Sequence, residues 1–339
     1  ALVKLLLLQS RRDREAGLKT AGFVSGYRGS PLGGLDQELW RAQDFLECAP
    51  IHFQPGVNEE LAATAIWGTQ QLNLFPGARY DGVFGLWYGK GPGVDRSGDA
   101  FKHANAAGVS KYGGVLVVAG DDHVCKSSTL PHQSEYSFID AMIPVLNPAD
   151  VQDELWLGLM GYGLSRFSGC WIGLKMTEEN ADSSQTIKVP HGLKIIEPDF
   201  DIPEGGLHIR WPDSPNEQEY RLHRHKIYAA LAFARANKLN RLIIDSPRPR
   251  IGIVSTGKAY LDVLQALKDL GIDQQRASEI GIKLFKVGMS WPLEPEGIRS
   301  FATGLEEVLV VEEKRAVIED QLKKQLYNWE ADSRPVIIG

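Results

Sequence analysis

Apolar residues recur along this chain at two spacings, one helical and one strand-like. Over residues 1–17, Leu2, Leu5, Leu6 and the leucines after them form one face, closed by Arg11, Arg12, Asp13, Arg14 and Glu15; the spacing predicts a helix. Residues 20–27 read as a short buried strand, 35–46 as a helix, and 51–54 and 80–88 as strands. A helix is expected to end at Ala107, and 114–120 is the clearest buried strand. A helix over 150–164 then leads to a strand over 170–176. Repeated strand–loop–helix units imply a parallel sheet with functional loops at the C-terminal ends of its strands.

The pattern then changes. Residues 178–215 are rich in Pro, Asp, Glu and Ser with little periodicity and read as a linker, followed by a helix over 216–238. A second α/β set follows, with strands at 251–255, 284–287 and 307–311 and helices at 259–270 and 295–303. A loop is expected at 291–293, and the last helix pairs Glu319 with Lys323 and Asp320 with Lys324 at i,i+4. The expected fold is α/β: two doubly wound parallel-sheet domains, at 1–177 and 249–339, with a linker and helix at 178–248.

The stretch 54–68 carries the first candidate chemistry. Pro55 and Gly56 break what precedes, Asn58 is a good N-cap, and Glu59 and Glu60 fall in the first helical turn, where the helix dipole favours carboxylates. The body that follows, from Leu61 to Trp67, is small and apolar nearly all round, which predicts a buried helix. Glu59 is the candidate catalytic residue, because a carboxylate in an apolar pocket has a raised pKa and can exchange a proton with a ligand. An ordinary cap is the other reading of the same residues. Two glycine-dense stretches follow predicted strands: Gly26-Tyr27-Arg28-Gly29-Ser30-Pro31-Leu32-Gly33-Gly34, and a loop over 89–99 that opens Gly89-Lys90-Gly91-Pro92-Gly93. Glycine lets a ligand approach the backbone, and it equally serves a tight turn. Lys90 either meets an anion or is solvated. Neither the dinucleotide fingerprint nor a P-loop is present.

Composition narrows the classes. At 339 residues with 43% hydrophobic and 24% charged residues, the chain has the balance of a globular protein of two or three domains. A net charge of −6 gives no basic footprint for nucleic acid. No uninterrupted apolar run approaches the ~18 residues of a membrane span, so neither partner class is expected. Cys48, Cys125 and Cys170 share no short spacing, which offers no metal or cluster cradle and suits a reducing cytoplasm. His223 and His225, two apart, are on different helix faces and make no metal pair; with Arg221, Arg224 and Lys226 they read as a solvated basic face. The chain opens on Ala1 and stops just after an apolar run, so a fragment of a longer polypeptide is expected.

Taken together, the loops resemble those of thiamine-diphosphate enzymes: the 2-oxoacid:ferredoxin oxidoreductases, and among them the indolepyruvate ferredoxin oxidoreductase family in its long fused form. Ser25-Gly26-Tyr27-Arg28-Gly29-Ser30-Pro31 is similar to the family's first pyrimidine-domain loop, with Arg28 where many members have proline. Asn58-Glu59-Glu60-Leu61-Ala62-Ala63 resembles the motif bearing the glutamate shared by nearly all thiamine enzymes. Lys90-Gly91-Pro92-Gly93 with Asp99, and Gly120-Asp121-Asp122 with Ser127-Ser128, resemble the next two loops. Val311-Glu312-Glu313-Lys314-Arg315 is similar to part of the family's transketolase-C-terminal-like domain.

The resemblance implies that residues 1–177 form a pyrimidine-binding domain. It implies that Glu59 faces the cofactor's aminopyrimidine ring and favours the imino tautomer that takes the thiazolium proton. It places Gly29, Ser30, Pro31, Lys90 and Gly91 at the cofactor. The implied reaction is oxidative decarboxylation of a 2-oxoacid, with an aryl pyruvate such as indolepyruvate expected, passing electrons to ferredoxin and the acyl group to coenzyme A in a homodimer. No Gly-Asp-Gly followed downstream by the matching asparagine is found. The part that holds the diphosphate and Mg²⁺, and the iron–sulfur clusters, are therefore expected outside this chain, which alone should be inactive. A different thiamine enzyme of transketolase or decarboxylase type, or a non-catalytic dimerisation module, are the alternatives; the presence of Glu59 argues against the last.

Overall fold

The computed structural model describes residues 1–190 and 192–339, and it divides the strands between two sheets. In chain order the strands are β1 (Thr20–Gly26), β2 (Ile51–Phe53), β3 (Gly82–Lys90), β4 (Val115–Asp121), β5 (Val145–Leu146), β6 (Ile172–Thr177), β7 (Arg241–Ile244), β8 (Ile251–Thr256), β9 (Ile282–Val287), β10 (Met289–Trp291), β11 (Glu307–Val311) and β12 (Val336–Ile338). The first sheet has the order β10-β5-β6-β4-β3-β1-β2, parallel except where β10 pairs with β5. The second has the order β12-β11-β8-β9-β7, parallel except for β7 against β9.

The helices of the first unit are α1 (Leu2–Glu15), α2 (Leu35–Arg41), α3 (Gln43–Cys48), α4 (Glu59–Gln70), α5 (Gly91–Arg96), α6 (Gly98–Ala107), α7 (Glu135–Asp140) and α8 (Val151–Ser168). Strand alternation sorts them onto two faces. On β4, Leu116 and Val118 join α1, α2 and α8 in one core. Val115, Val117 and Ala119 join α4, α6 and α7 in the other. Because β3 and β4 are buried along nearly their whole length, they read as continuous apolar runs rather than alternating ones. The polar end of α1 is not solvated throughout: Asp13 is buried and accepts both Arg166 Nη1 and Nη2, at 2.6 and 2.7 Å.

Three expectations are corrected. The glycine-dense stretch expected as a loop over 89–99 is the end of β3 followed directly by α5 and the start of α6. The helix expected to be buried nearly all round, α4, buries only Ala62, Ala63, Ile66 and Gln70; Leu61 is 53% exposed. The basic face expected to be solvated on the 216–238 helix holds two buried cations, Arg221 and Lys226; a π turn over Leu222–Lys226 rotates Lys226 inward. Its Nζ donates to the carbonyl of Asn105 at 2.6 Å, near the C-terminal end of α6. Burial pushes its pKa down to about 8.

The two sheets are joined by more than the chain. β10 lies in sequence between elements of the second sheet, yet it completes the edge of the first, with Met289 opposite Leu146 and Trp291 opposite Val145. Lys286 pairs with Asp153 at the start of α8. The turn after β11 meets the segment before α7: Gln133 and Arg315 exchange two hydrogen bonds of 3.1 Å, and the Tyr136 hydroxyl donates to the Ala316 carbonyl. The Arg315 guanidinium lies 3.9 Å from the Tyr136 ring centre.

Candidate functional site

The C-terminal ends of β1, β3, β4 and β6 share one edge of the first sheet, and the loops that leave them converge there. The chain first returns to this edge through Gly56, whose N–H donates to the Gly26 carbonyl at 2.8 Å. Asn58 then adopts extended φ and accepts from the Leu61 N–H at 2.9 Å, so α4 starts at Glu59 as its capping residue predicts. The Glu59 carbonyl accepts from Trp87 Nε1 at 2.9 Å, which fixes the first turn to β3. No hydrogen bond holds the Glu59 carboxylate among the described residues, and the residue is half-buried.

Glycines set what can stand against it. A methyl group at Gly93 would fall 2.5 Å from Glu59 Cγ, so glycine here lets the helix turn pass under the glutamate side chain without displacing it. At Gly91 a methyl would meet His132 Nδ1 at 2.1 Å. Gly29 lies over the Lys90 stem, with its added carbon 3.0 Å from Lys90 Cβ. Pro31 covers the end of β4, where a methyl at Gly120 would meet its ring at 2.9 Å. The sequence-derived candidates Glu59, Gly29, Ser30, Pro31, Lys90 and Gly91 therefore occupy one edge. Lys90 is half-buried and donates to the Ser127 carbonyl at 2.9 Å. Asp99 stands apart on α6, exposed and 3.6 Å from His103.

After β4 the chain builds a polar cluster. Asp122 is buried and accepts from the N–H groups of Lys126 and Ser127 at 2.9 and 2.8 Å and from the hydroxyls of Ser127 and Ser128. Burial alone would raise its pKa; these donors outweigh it and hold the carboxyl well below the usual range. Its neighbour Asp121 is fully buried and accepts from the Ser134 N–H at 2.8 Å and the Ser134 hydroxyl. Burial opposes its charge as well, but His132, Lys175 and Ser134 together lower its pKa.

Five members of this cluster, Asp95, His132, Ser134, Glu135 and Lys175, are not evident from sequence. His132 Nε2 lies 2.8 Å from Asp95 Oδ2, and Nδ1 lies 3.3 Å from Asp121 Oδ1. Lys175, on β6, reaches Glu135 at 2.5 Å and Asp121 at 3.9 Å. Burial lowers the Lys175 pKa, but the charges of Glu135 and Asp121 raise it further. The stretch Gly120-Asp121-Asp122 with Ser127-Ser128 is marked in the sequence as a loop, but its spacing names none of these five as partners. Among the described residues no three His, Cys, Asp or Glu side chains are arranged to hold a metal ion. No helix among them is long and apolar enough to cross a membrane.

Known proteins share this architecture. Residues 240–339 match the family model described as the indolepyruvate ferredoxin oxidoreductase middle domain. The indolepyruvate oxidoreductase subunit IorA of Methanothermobacter thermautotrophicus is 24% identical over 326 residues, spanning 94% of this chain and 48% of that protein. The IorA subunit of Pyrococcus abyssi is 27% identical over 328 residues, spanning 94% and 47%. The chain thus spans about half the length of the curated relatives it matches. Among solved structures, a 2-oxoglutarate:ferredoxin oxidoreductase from Magnetococcus marinus, with 2-oxoglutarate, coenzyme A and succinyl-CoA bound, superposes with a TM-score of 0.63 at 16% identity, covering 98% of this chain and 61% of that one. A transketolase from Leishmania mexicana gives 0.50 at 13% identity, covering 94% and 38%. At such identities these likenesses establish the fold, and they bear out the α/β architecture with two mainly parallel sheets.

Proposed function

We propose that this chain, a relative of the indolepyruvate ferredoxin oxidoreductases, forms the pyrimidine side of a thiamine-diphosphate site. Residues 1–177 are the pyrimidine-binding domain and 249–339 the transketolase-C-terminal-like domain, with β7 joining the second sheet from the 178–248 linker. The observation that carries the reading is the unbonded Glu59 carboxylate at the strand ends, with Gly93 giving it room. The bound cofactor supplies the carbanion chemistry of 2-oxoacid decarboxylation. Glu59 holds and releases a proton at its carboxylate, toward the aminopyrimidine ring. Gly29, Ser30 and Pro31 form the loop over the cofactor and the 2-oxoacid, and Lys90 and Gly91 close the site beside it.

The full enzyme converts a 2-oxoacid such as indolepyruvate, with coenzyme A and oxidised ferredoxin, to acyl-CoA, CO₂ and reduced ferredoxin. The diphosphate and Mg²⁺ site and the iron–sulfur clusters belong to polypeptide outside residues 1–339. The working form is a homodimer, supported by the uncovered apolar face of α4 and its approach, where Val57 is 83% and Leu61 53% exposed. A reducing cytoplasm suits its three free thiols. The test is Glu59→Gln in the full-length protein. Turnover of indolepyruvate with ferredoxin or a dye falls by about 100-fold or more, while circular dichroism and the melting temperature hold. Undiminished turnover would leave Glu59 as a helix cap and overturn this reading.

A further inference from the structure

His132 stands between two carboxylates, and counting donors sets its state. Its Nε2 lies 2.8 Å from Asp95 Oδ2 and its Nδ1 3.3 Å from Asp121 Oδ1. An ionised carboxylate only accepts, and a neutral imidazole carries a single N–H. Both contacts are satisfied together only by the imidazolium. The groups around it favour that charge. Asp95 faces it from α5 and Asp121 from the end of β4, while the Asp122 carbonyl accepts the His132 backbone N–H at 3.3 Å and the Asp122 carboxylate is taken up by Lys126, Ser127 and Ser128. Ser134 and Glu135 follow it in sequence. His123 Nδ1 pairs with the His132 carbonyl at 2.9 Å, and Glu313 of the second unit lies 3.5 Å from His123. Lys175, on β6, opposes that charge from beyond Asp121 and is itself taken up by Glu135 and Asp121. Burial lowers the His132 pKa, but hydrogen bonds to Asp121 and Asp95 raise it overall.

The other end of this contact is α5. Asp95 uses its second oxygen to accept the Ser137 hydroxyl at 2.8 Å, so both of its oxygens bind the helix to the His132 side of the site. Gly91 opens the room for the His132 ring, and two residues later Gly93 lies against Glu59. One short helix thus touches both ionisable side chains.

We propose that His132 is a positioning residue for Glu59: as an imidazolium between Asp95 and Asp121 it seats α5 under the glutamate side chain, and loss of its proton frees that helix. This rests on the reading of Glu59 as the proton-exchanging group, and its own readout is the protection of α5 amides. The experiment is hydrogen exchange by mass spectrometry over residues 91–97 of the full-length protein, as protection factors across pH 6–10, for wild type, His132→Gln and Asp95→Asn. Wild-type protection is expected to fall by about tenfold as pH rises past the raised His132 pKa, the scale of one charged hydrogen bond. Both variants should show the lower protection at every pH. In turnover, His132→Gln should lower kcat by about tenfold with little change in KM for the 2-oxoacid, and remove the alkaline limb of the kcat profile. PH-independent wild-type protection over 91–97, matching that of the variants, overturns the proposal whatever Glu59→Gln does. An unaltered kcat profile in both variants overturns it too. Failure of the Glu59 reading shows separately, as full turnover in Glu59→Gln.

Discussion

Gly91 and Gly93 lie two positions apart on α5, yet replacing them should fail in different ways. The ring that an alanine methyl at 91 would strike is fixed by Asp95, Asp121 and the backbone around it, and the contact distance is 2.1 Å. Gly91→Ala should therefore cost about 1–3 kcal/mol of stability, read as a drop of several degrees in melting temperature. The side chain at risk from Gly93→Ala is that of Glu59, which no bond restrains and which is half-exposed. It can turn away, so this variant should keep most of its melting temperature and lose turnover; equal melting losses in the two variants would contradict the contrast. Sequence made half of this arrangement readable. The Asn58 cap, the Glu59 start and the glycines are local signals, and the structure places them together. His132 was not readable, because its carboxylate partners lie 37 and 11 residues away and nothing in a loop's own spacing points to them.

Elements follow the same division between local and distant causes. The stretch expected as a glycine loop is helical because its glycines are selected by contact with Glu59 and His132, a tertiary requirement that overrides their low helix propensity. The exposed side of α4 is illegible in the sequence for the opposite reason: small apolar residues look the same whether the fold covers them or leaves them open. The three-residue strands β10 and β12 and the antiparallel β7 carry too few residues to show a period, and their partners are distant. The helix end capped by Lys226 makes a measurable prediction. Its pKa falls from 10.5 to about 8 on folding, so between those values the unfolded chain binds more protons than the native one. Stability should therefore rise with pH from about 8 to 10.5, by about 3 kcal/mol from this one group, and Lys226→Met should flatten that rise in denaturant titrations.

For the molecule as a whole, the question is whether the two sheets unfold together. Asp153 holds Lys286, which is 6% exposed on β9, and lies 3.8 Å from Arg241 of β7. Removing it leaves a buried ammonium without a counter-ion, a loss of about 3–5 kcal/mol. Calorimetry should show one transition in the native chain and, in Asp153→Ala, a lower one that separates into two; a single unmoved peak would mean that the edge strand and the Gln133–Arg315 contact hold the units by themselves. The edge strand also has a consequence for synthesis. Val145 waits for Trp291, 146 residues further along, so the first sheet keeps an open edge on the ribosome until much of the second unit has emerged. Until then β5 is an unpaired template for other nascent chains. A message that stops after residue 248 would yield a protein permanently in that state, one that collects in inclusion bodies while a protein that continues through β10 and the second sheet stays in the supernatant.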